Sequence, residues 1–179
     1  MRITAIELFH VSVPLRENFW PSWIPGYPQT HNRFTLAKLT TDDGIEGYSA
    51  GQSMGRERQG LGDLLGGYLL GTDPTDIDRV QDLLKQAGFL GWRNFWLEAA
   101  CWDIKGKALG VPVYELVGGK VRDRVPLYAN GWFSMSRPSA HGPKGEDVAS
   151  WYAEQAKEVV AQGYRCLKVY PFSGEQVIT

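Results

Sequence analysis

Glu98-Ala99-Ala100-Cys101-Trp102-Asp103-Ile104-Lys105-Gly106-Lys107-Ala108-Leu109-Gly110-Val111-Pro112-Val113-Tyr114-Glu115-Leu116-Val117-Gly118-Gly119 is the stretch whose reading decides the fold. With Phe95, Trp96 and Leu97 ahead of it, the first half reads as a helix that is apolar on most of its faces, which predicts burial between layers. Gly110 sits where a left-handed helix terminus falls, Pro112 prevents the helix from resuming, and Gly118-Gly119 makes a second stop. One kind of structure ends here and another begins.

Toward the N-terminus the pattern is strands, then helices. Ile3 to Leu15 alternates in part (Ile6, Leu8, Val11, Val13) and reads as a strand ending at Pro14. Arg33 to Thr41 is a second strand, and Asp43-Gly44 leads into a third, Ile45 to Tyr48, as a hairpin whose turn residues both tolerate positive φ. Between the first two, Arg16 to Asn32 carries Pro21, Pro25, Gly26 and Pro28, which exclude regular structure, and Phe19, Trp20, Trp23 and Tyr27, which supply large faces. Composition leaves two readings of that loop open: a surface loop pinned by its own aromatics, or a lid over a substrate. Three helices follow: one marked by Leu61, Leu64, Leu65, Tyr68 and Leu69, one started by Asp73-Pro74 and stopped by Gly88, and the buried one, capped by Asn94. Strands followed by helices make an α+β domain.

After Gly119 strand and helix alternate. Val125 to Ala129 reads as a strand, Asp147 to Gln162 as a helix ended by Gly163, and Arg165 to Tyr170 as a strand, with Glu175 to Thr179 beginning another helix. Such a βαβ unit implies a parallel pair joined by a right-handed crossover.

The 179 residues suffice for one substantial core, or for one domain and part of a second, and 43% hydrophobic and 22% charged residues are ordinary for a soluble globular protein. A formal net charge of -1 gives no electrostatic reason to expect nucleic acid or an anionic membrane as partner. No apolar run approaches the roughly 20 residues of a membrane span, and the N-terminus lacks the apolar core of a signal peptide, so the cytoplasm is the expected location. Cys101 and Cys166 are too few for a zinc site or a disulfide framework and read as inert buried thiols.

The run from Trp102 through Gly118-Gly119 resembles the segment that joins the capping domain to the barrel in the mandelate racemase and muconate lactonizing branch of the enolase superfamily. The fold this implies is an α+β capping domain, a three-stranded antiparallel meander plus helices, over residues 1–120. The start of an α/β (TIM-type) barrel follows over residues 121–179, incomplete in this chain. Two of eight barrel strands cannot close, so the chain is expected to be part of a larger polypeptide and inactive by itself. The resemblance turns the Arg16–Asn32 loop into a lid that closes over the barrel mouth.

The resemblance also implies chemistry: abstraction of the proton α to a carboxylate, with magnesium holding the enediolate and a Lys or His as base. Many members carry two lysines separated by one residue at the end of the second barrel strand; here those positions are Lys168 and Tyr170, the catalytic candidates. Alternation sends Cys166, Lys168 and Tyr170 one way and Leu167 and Val169 the other, so in a barrel Lys168 and Tyr170 point inward. Tyr in place of the second lysine argues against a two-base racemase and for an acid-sugar dehydratase, with Trp20, Trp23 and Trp132 as substrate-binding surfaces. The implied partners are a small sugar-acid substrate and further copies of the chain in a homo-oligomer. The metal ligands are expected on later strands, so no residue here is assigned to magnesium. The alternatives are a non-catalytic capping-domain fragment or pseudoenzyme, or a racemase or cycloisomerase of the same superfamily.

Overall fold

A computed structural model describes residues 1–19, 27–53, 57–88, 94–132 and 148–169. Its sheet is organised on β2 (Gln29–Thr41), which buries Thr35, Ala37, Leu39 and Thr41 while the residues between them stay half-covered. That period of two is what a strand with one face on a core requires. β1 (Ile3–Phe19) and β3 (Glu46–Gln52) flank it in the order β1-β2-β3, the expected meander. The β2–β3 register runs antiparallel from Phe34 opposite Gln52 to Thr40 opposite Glu46.

The strands are longer than the sequence suggests. β1 continues through Pro14 to Phe19, and β2 begins at Gln29 rather than Arg33, so both ends of the expected Arg16–Asn32 loop are strand. β1 lies at the edge of the sheet, where proline is accommodated within a strand. Trp20 and Trp23 lie outside the described residues.

The β2–β3 turn is also longer than expected. The Gly44 N–H donates to the Thr41 carbonyl at 3.0 Å and the Thr41 N–H to the Ile45 carbonyl at 3.0 Å, which makes a three-residue loop with Gly44 in the left-handed region (φ 78°). The Thr41 hydroxyl supports this geometry, donating to the Ile45 carbonyl and accepting from the Ile45 N–H, each at 3.0 Å.

Helices α1 (Glu57–Leu69), α2 (Ile77–Ala87) and α3 (Glu98–Leu109) share one core with the sheet. Leu39 and Ala37 from β2, Leu65 and Leu69 from α1, Val80 and Leu84 from α2, and Ala100 and Ile104 from α3 are fully buried in it. The start of α2 corrects the sequence reading. Asp73 closes a turn, accepting from the Thr75 N–H at 2.9 Å and the Thr75 hydroxyl at 2.7 Å, and Asp76 is the residue that caps the helix by accepting from the Arg79 N–H. Asn94 precedes a 3₁₀ turn (Phe95–Leu97) that leads into α3; its side chain caps nothing, and both amide atoms are buried without a partner.

α3 buries one face, not most of them. Leu97, Ala100, Cys101 and Ile104 are inside, while Phe95, Ala99, Ala108 and Leu109 are exposed. The reason lies on β3, whose inward residues Gly47, Ser49 and Gly51 have almost no side chain. A Cβ on Gly47 would collide with the Ala100 carbonyl oxygen and the Ile104 side chain, and one on Gly51 with the Trp96 ring. The helix therefore packs against bare strand backbone on this side, while Ala99, Ala108 and Leu109 on the other side stay exposed. Its end is as expected: Gly110 is left-handed (φ 69°), the Val111 N–H reaches the Gly106 carbonyl at 2.9 Å, and Pro112 starts the short α4 (Val113–Leu116).

The chain divides into two compact units, Met1–Ser12 with Arg33–Val121, and Val13–Asn32 with Arg122–Thr179, so β1 and β2 each contribute to both. In the second unit, α5 (Val148–Ala161) is the expected crossover helix. The expected strands Val125–Ala129 and Arg165–Tyr170 appear among the described residues only as one parallel bridge, Ala129 with Leu167. Parallel pairing is the weaker kind per residue, and no third strand adjoins this pair among the described residues. No helix among the described residues is long and apolar enough to cross a membrane.

Candidate functional site

The parallel bridge fixes where Lys168 stands. The Ala129 N–H donates to the Cys166 carbonyl at 2.9 Å, and the Lys168 N–H donates to the Ala129 carbonyl at 2.8 Å. Residues paired across a ladder share a face, so Ala129 and Leu167 lie on one side and Cys166 and Lys168 on the other. Ala129 is buried and Leu167 half-buried, as is Lys168, while Cys166 is exposed. The expectation that Cys166 is buried therefore fails. Cys101 does fit: it is buried in α3, and burial, reinforced by Glu98, pushes its thiol up to about 12.

Trp132 meets Lys168 through an atom that sequence reasoning did not consider. Its indole Nε1–H donates to the Lys168 carbonyl at 2.9 Å, and its ring stands edge-on to Tyr152 of α5, with centroids 6.1 Å apart. Tyr152 in turn stands edge-on to Trp151 at 5.0 Å, and burial pushes its phenol above the ordinary range. The structure thus joins Lys168 and Trp132 of the predicted residues, whereas Trp20, Trp23 and Tyr170 lie outside the described residues. No sequence signal marks an indole that bonds to main chain, because a carbonyl partner has no residue identity.

A second polar cluster lies on the other unit. The Lys38 ammonium pairs with Glu46 at 2.8 Å and Glu7 at 3.1 Å, and the Tyr48 hydroxyl donates to Glu46 at 2.5 Å. Asp103 of α3 accepts from the Tyr48 N–H at 2.9 Å and from the Lys107 ammonium at 2.7 Å, and Lys107 also reaches the Glu46 carbonyl. Lys38, then Tyr48, holds the Glu46 carboxyl below the ordinary carboxylate range, while Glu46, then Glu7, raises Lys38. Every charge here has an opposite partner, which is the signature of a brace between β3 and α3, not of a poised acid or base. A groove of about 270 Å³ beside it, at the end of α3, is lined by Asp103, Lys107 and Val111 to Val113. Asp103 and Lys107 are already engaged with each other there.

Among the described residues no group of three or more His, Cys, Asp or Glu side chains could hold a metal ion. The magnesium that the resemblance implies does not fit the residues described here.

Comparison with known proteins gives the family. The family model described as the N-terminal domain of mandelate racemase / muconate lactonizing enzyme matches residues 5–118. A D-galactonate dehydratase of Xanthomonas axonopodis pv. citri is 36% identical over 148 residues, covering 78% of this chain and 33% of that protein. A D-gluconate dehydratase of Thermoproteus tenax is 42% identical over 111 residues, covering 58% of this chain and 20% of that protein. The crystal structure of an enolase superfamily member from Roseovarius nubinhibens ISM, complexed with magnesium, superposes with a TM-score of 0.69 at 25% identity, over 93% of this chain and 43% of that one. The chain spans a third or less of the length of these two dehydratases. By the match across residues 5–118, it belongs to the mandelate racemase / muconate lactonizing enzyme family of the enolase superfamily, as the N-terminal part of such a protein.

Proposed function

We propose that this chain is the N-terminal part of an acid-sugar dehydratase, which removes the proton α to a carboxylate and expels the β-hydroxyl as water. The observation that carries this reading is its likeness to two proteins named for one reaction class, galactonate and gluconate dehydration, although they act on different sugars. In this reading Lys168 binds the substrate carboxylate, and its ammonium favours the negative charge that grows on that group as the α-proton leaves. Tyr170 stands beside it in place of a second lysine. An unperturbed tyrosine, with a pKa of about 10, is a poor base at neutral pH, which favours loss of water over inversion at the α-carbon.

Trp20, Trp23 and Trp132 are assigned to the hydroxylated body of the substrate. For Trp132 the support is its bond to the Lys168 carbonyl, whereas Trp20 and Trp23 are assigned from the family resemblance. Magnesium enters as the metal bound by the Roseovarius nubinhibens relative, and in the complete enzyme its ligands would come from residues outside this set. The part carried by this chain is that of Lys168 and its neighbours.

The test is the full-length polypeptide with magnesium and a panel of sugar acids in deuterated water, followed by proton NMR. A 2-keto-3-deoxy acid, the ketonised product of water loss, is expected from one or more of them. Deuterium entering the α-position with both hydroxyls retained would instead establish a racemase or epimerase, and no exchange with any acid would establish a non-catalytic protein.

A further inference from the structure

The contacts around Lys168 carry one inference further, and it rests on the dehydratase reading just given. Among the described residues a parallel bridge with two backbone hydrogen bonds sets the strand position of Lys168, the residue proposed to meet the substrate carboxylate. Besides those two bonds, the backbone of Lys168 is held by the Trp132 indole N–H, at 2.9 Å from its carbonyl oxygen. The indole is itself oriented by the Tyr152 ring of α5, which packs edge-on against Trp151 in the same turn of helix. A chain of three rings thus runs from the crossover helix to the carbonyl of the candidate catalytic lysine. Edge-to-face contacts of this kind are directional, so they fix orientation as well as fill space.

We propose that Trp132 is a positioning residue for Lys168, and that α5 sets the direction of the lysine through Tyr152 and Trp132. Trp132 then has two separable parts. Its ring is the part assigned to the substrate in the dehydratase reading, and its N–H, at the ring edge, determines where the lysine ammonium sits. A positioned group contributes through the geometry of attack more than through ground-state affinity, so losing the N–H should appear in kcat and losing the ring in KM.

Trp132→Phe separates the two, because it keeps an aromatic face and removes the donor. In the full-length enzyme it should lower kcat about tenfold while KM stays within about twofold, and Trp132→Ala should in addition raise KM. Amide hydrogen exchange gives a reading independent of turnover: the Lys168 and Val169 amides should exchange faster in Trp132→Phe than in the parent. Lys168→Ala is the control for the underlying reading. If Lys168→Ala is inactive and Trp132→Phe keeps its parent kcat and exchange rates, the positioning role is overturned and the dehydratase reading stands. If Lys168→Ala turns over normally, the reading of Lys168 itself has failed. Should Trp132→Phe not fold, Tyr152→Leu carries the test, since it leaves the indole N–H in place and removes the ring that orients it. A fall in kcat at constant KM supports the proposal, and an unchanged kcat overturns it.

Discussion

In the unit built on Met1–Ser12 and Arg33–Val121, the charged residues of the outer sheet face and α3 bind each other, and a contiguous core sits behind them. In the unit that holds Lys168, Ala129 and Val159 are the buried apolar residues among those described, while Val125 and Leu127 are each 73% exposed. The difference is one of self-sufficiency. The first unit closes its own layers, so its polar groups are free to act as braces. The second carries Lys168, the residue proposed to meet the substrate, on a pair of strands with few buried apolar neighbours among the described residues.

The comparison breaks most readily on core truncation. Leu39→Ala should cost about 2–5 kcal/mol, because the side chain is fully buried between sheet and helices. Val159→Ala should cost about 1–2 kcal/mol, at roughly 0.8 kcal/mol for each methyl-sized group removed from water. Urea unfolding of both variants measures this, and equal losses would mean that the second unit has a core as complete as the first.

The next effect concerns chemistry. Lys168→Ala in the full-length enzyme should fold normally yet lose roughly 10²-fold in kcat, about 3 kcal/mol of transition-state stabilisation, as for other electrostatic stabilisers. Steady-state kinetics beside a thermal melt tells the outcomes apart: a variant that unfolds makes Lys168 structural. Tyr170→Phe removes only a hydroxyl, and a comparable loss there would promote Tyr170 to acid or base.

The smallest effect tests the brace. The Glu46 carboxyl is lowered from its ordinary 4.5 by Lys38 and Tyr48, so the stability it contributes is present above that value and is lost as pH falls through its depressed one. Lys38 is raised from 10.5, so its contribution is present below that value and lost only in strong alkali. Glu46→Gln should therefore lower Tm modestly at neutral pH, because exposed pairs are screened and individually weak, with the gap to the parent closing as pH falls below 4.5 and through the depressed value. A gap that persists after pH has fallen through that depressed value would assign the loss to packing instead of charge.

What could be read in advance was what local chemistry decides. Gly110 and Pro112 announce the end of α3 because a left-handed residue and a missing N–H act within a few positions of themselves. Alternation likewise announces β2. Competition between neighbours was harder to read: Asp73 and Asp76 are both able to cap a helix, and the outcome depends on Thr75 engaging the first. Pro14 within β1 could not be foreseen, since only the strand order shows that β1 is an edge. The one-sided burial of α3 and the Trp132 tether to Lys168 both depend on contacts between distant segments, through a strand without side chains and a carbonyl without identity.

The bare strip on β3 has a consequence for how this protein can vary. Glycines fall into two sorts here: Gly44 and Gly110 have open space around them and are held by their dihedral angle, whereas Gly47 and Gly51 have no space at all. Asparagine can stand in for the first sort, since it enters the left-handed region at modest cost. For the second there is no stand-in, because every other amino acid begins with the carbon that collides. At Gly51 the obstacle is the Trp96 ring, so a smaller side chain in its place could absorb the change, but at Gly47 it is the Ala100 carbonyl, and the compensating change is to move the helix. A lineage that lost Gly47 would have to re-seat α3 and the junction after it, so the strip narrows the route by which the capping unit can diverge.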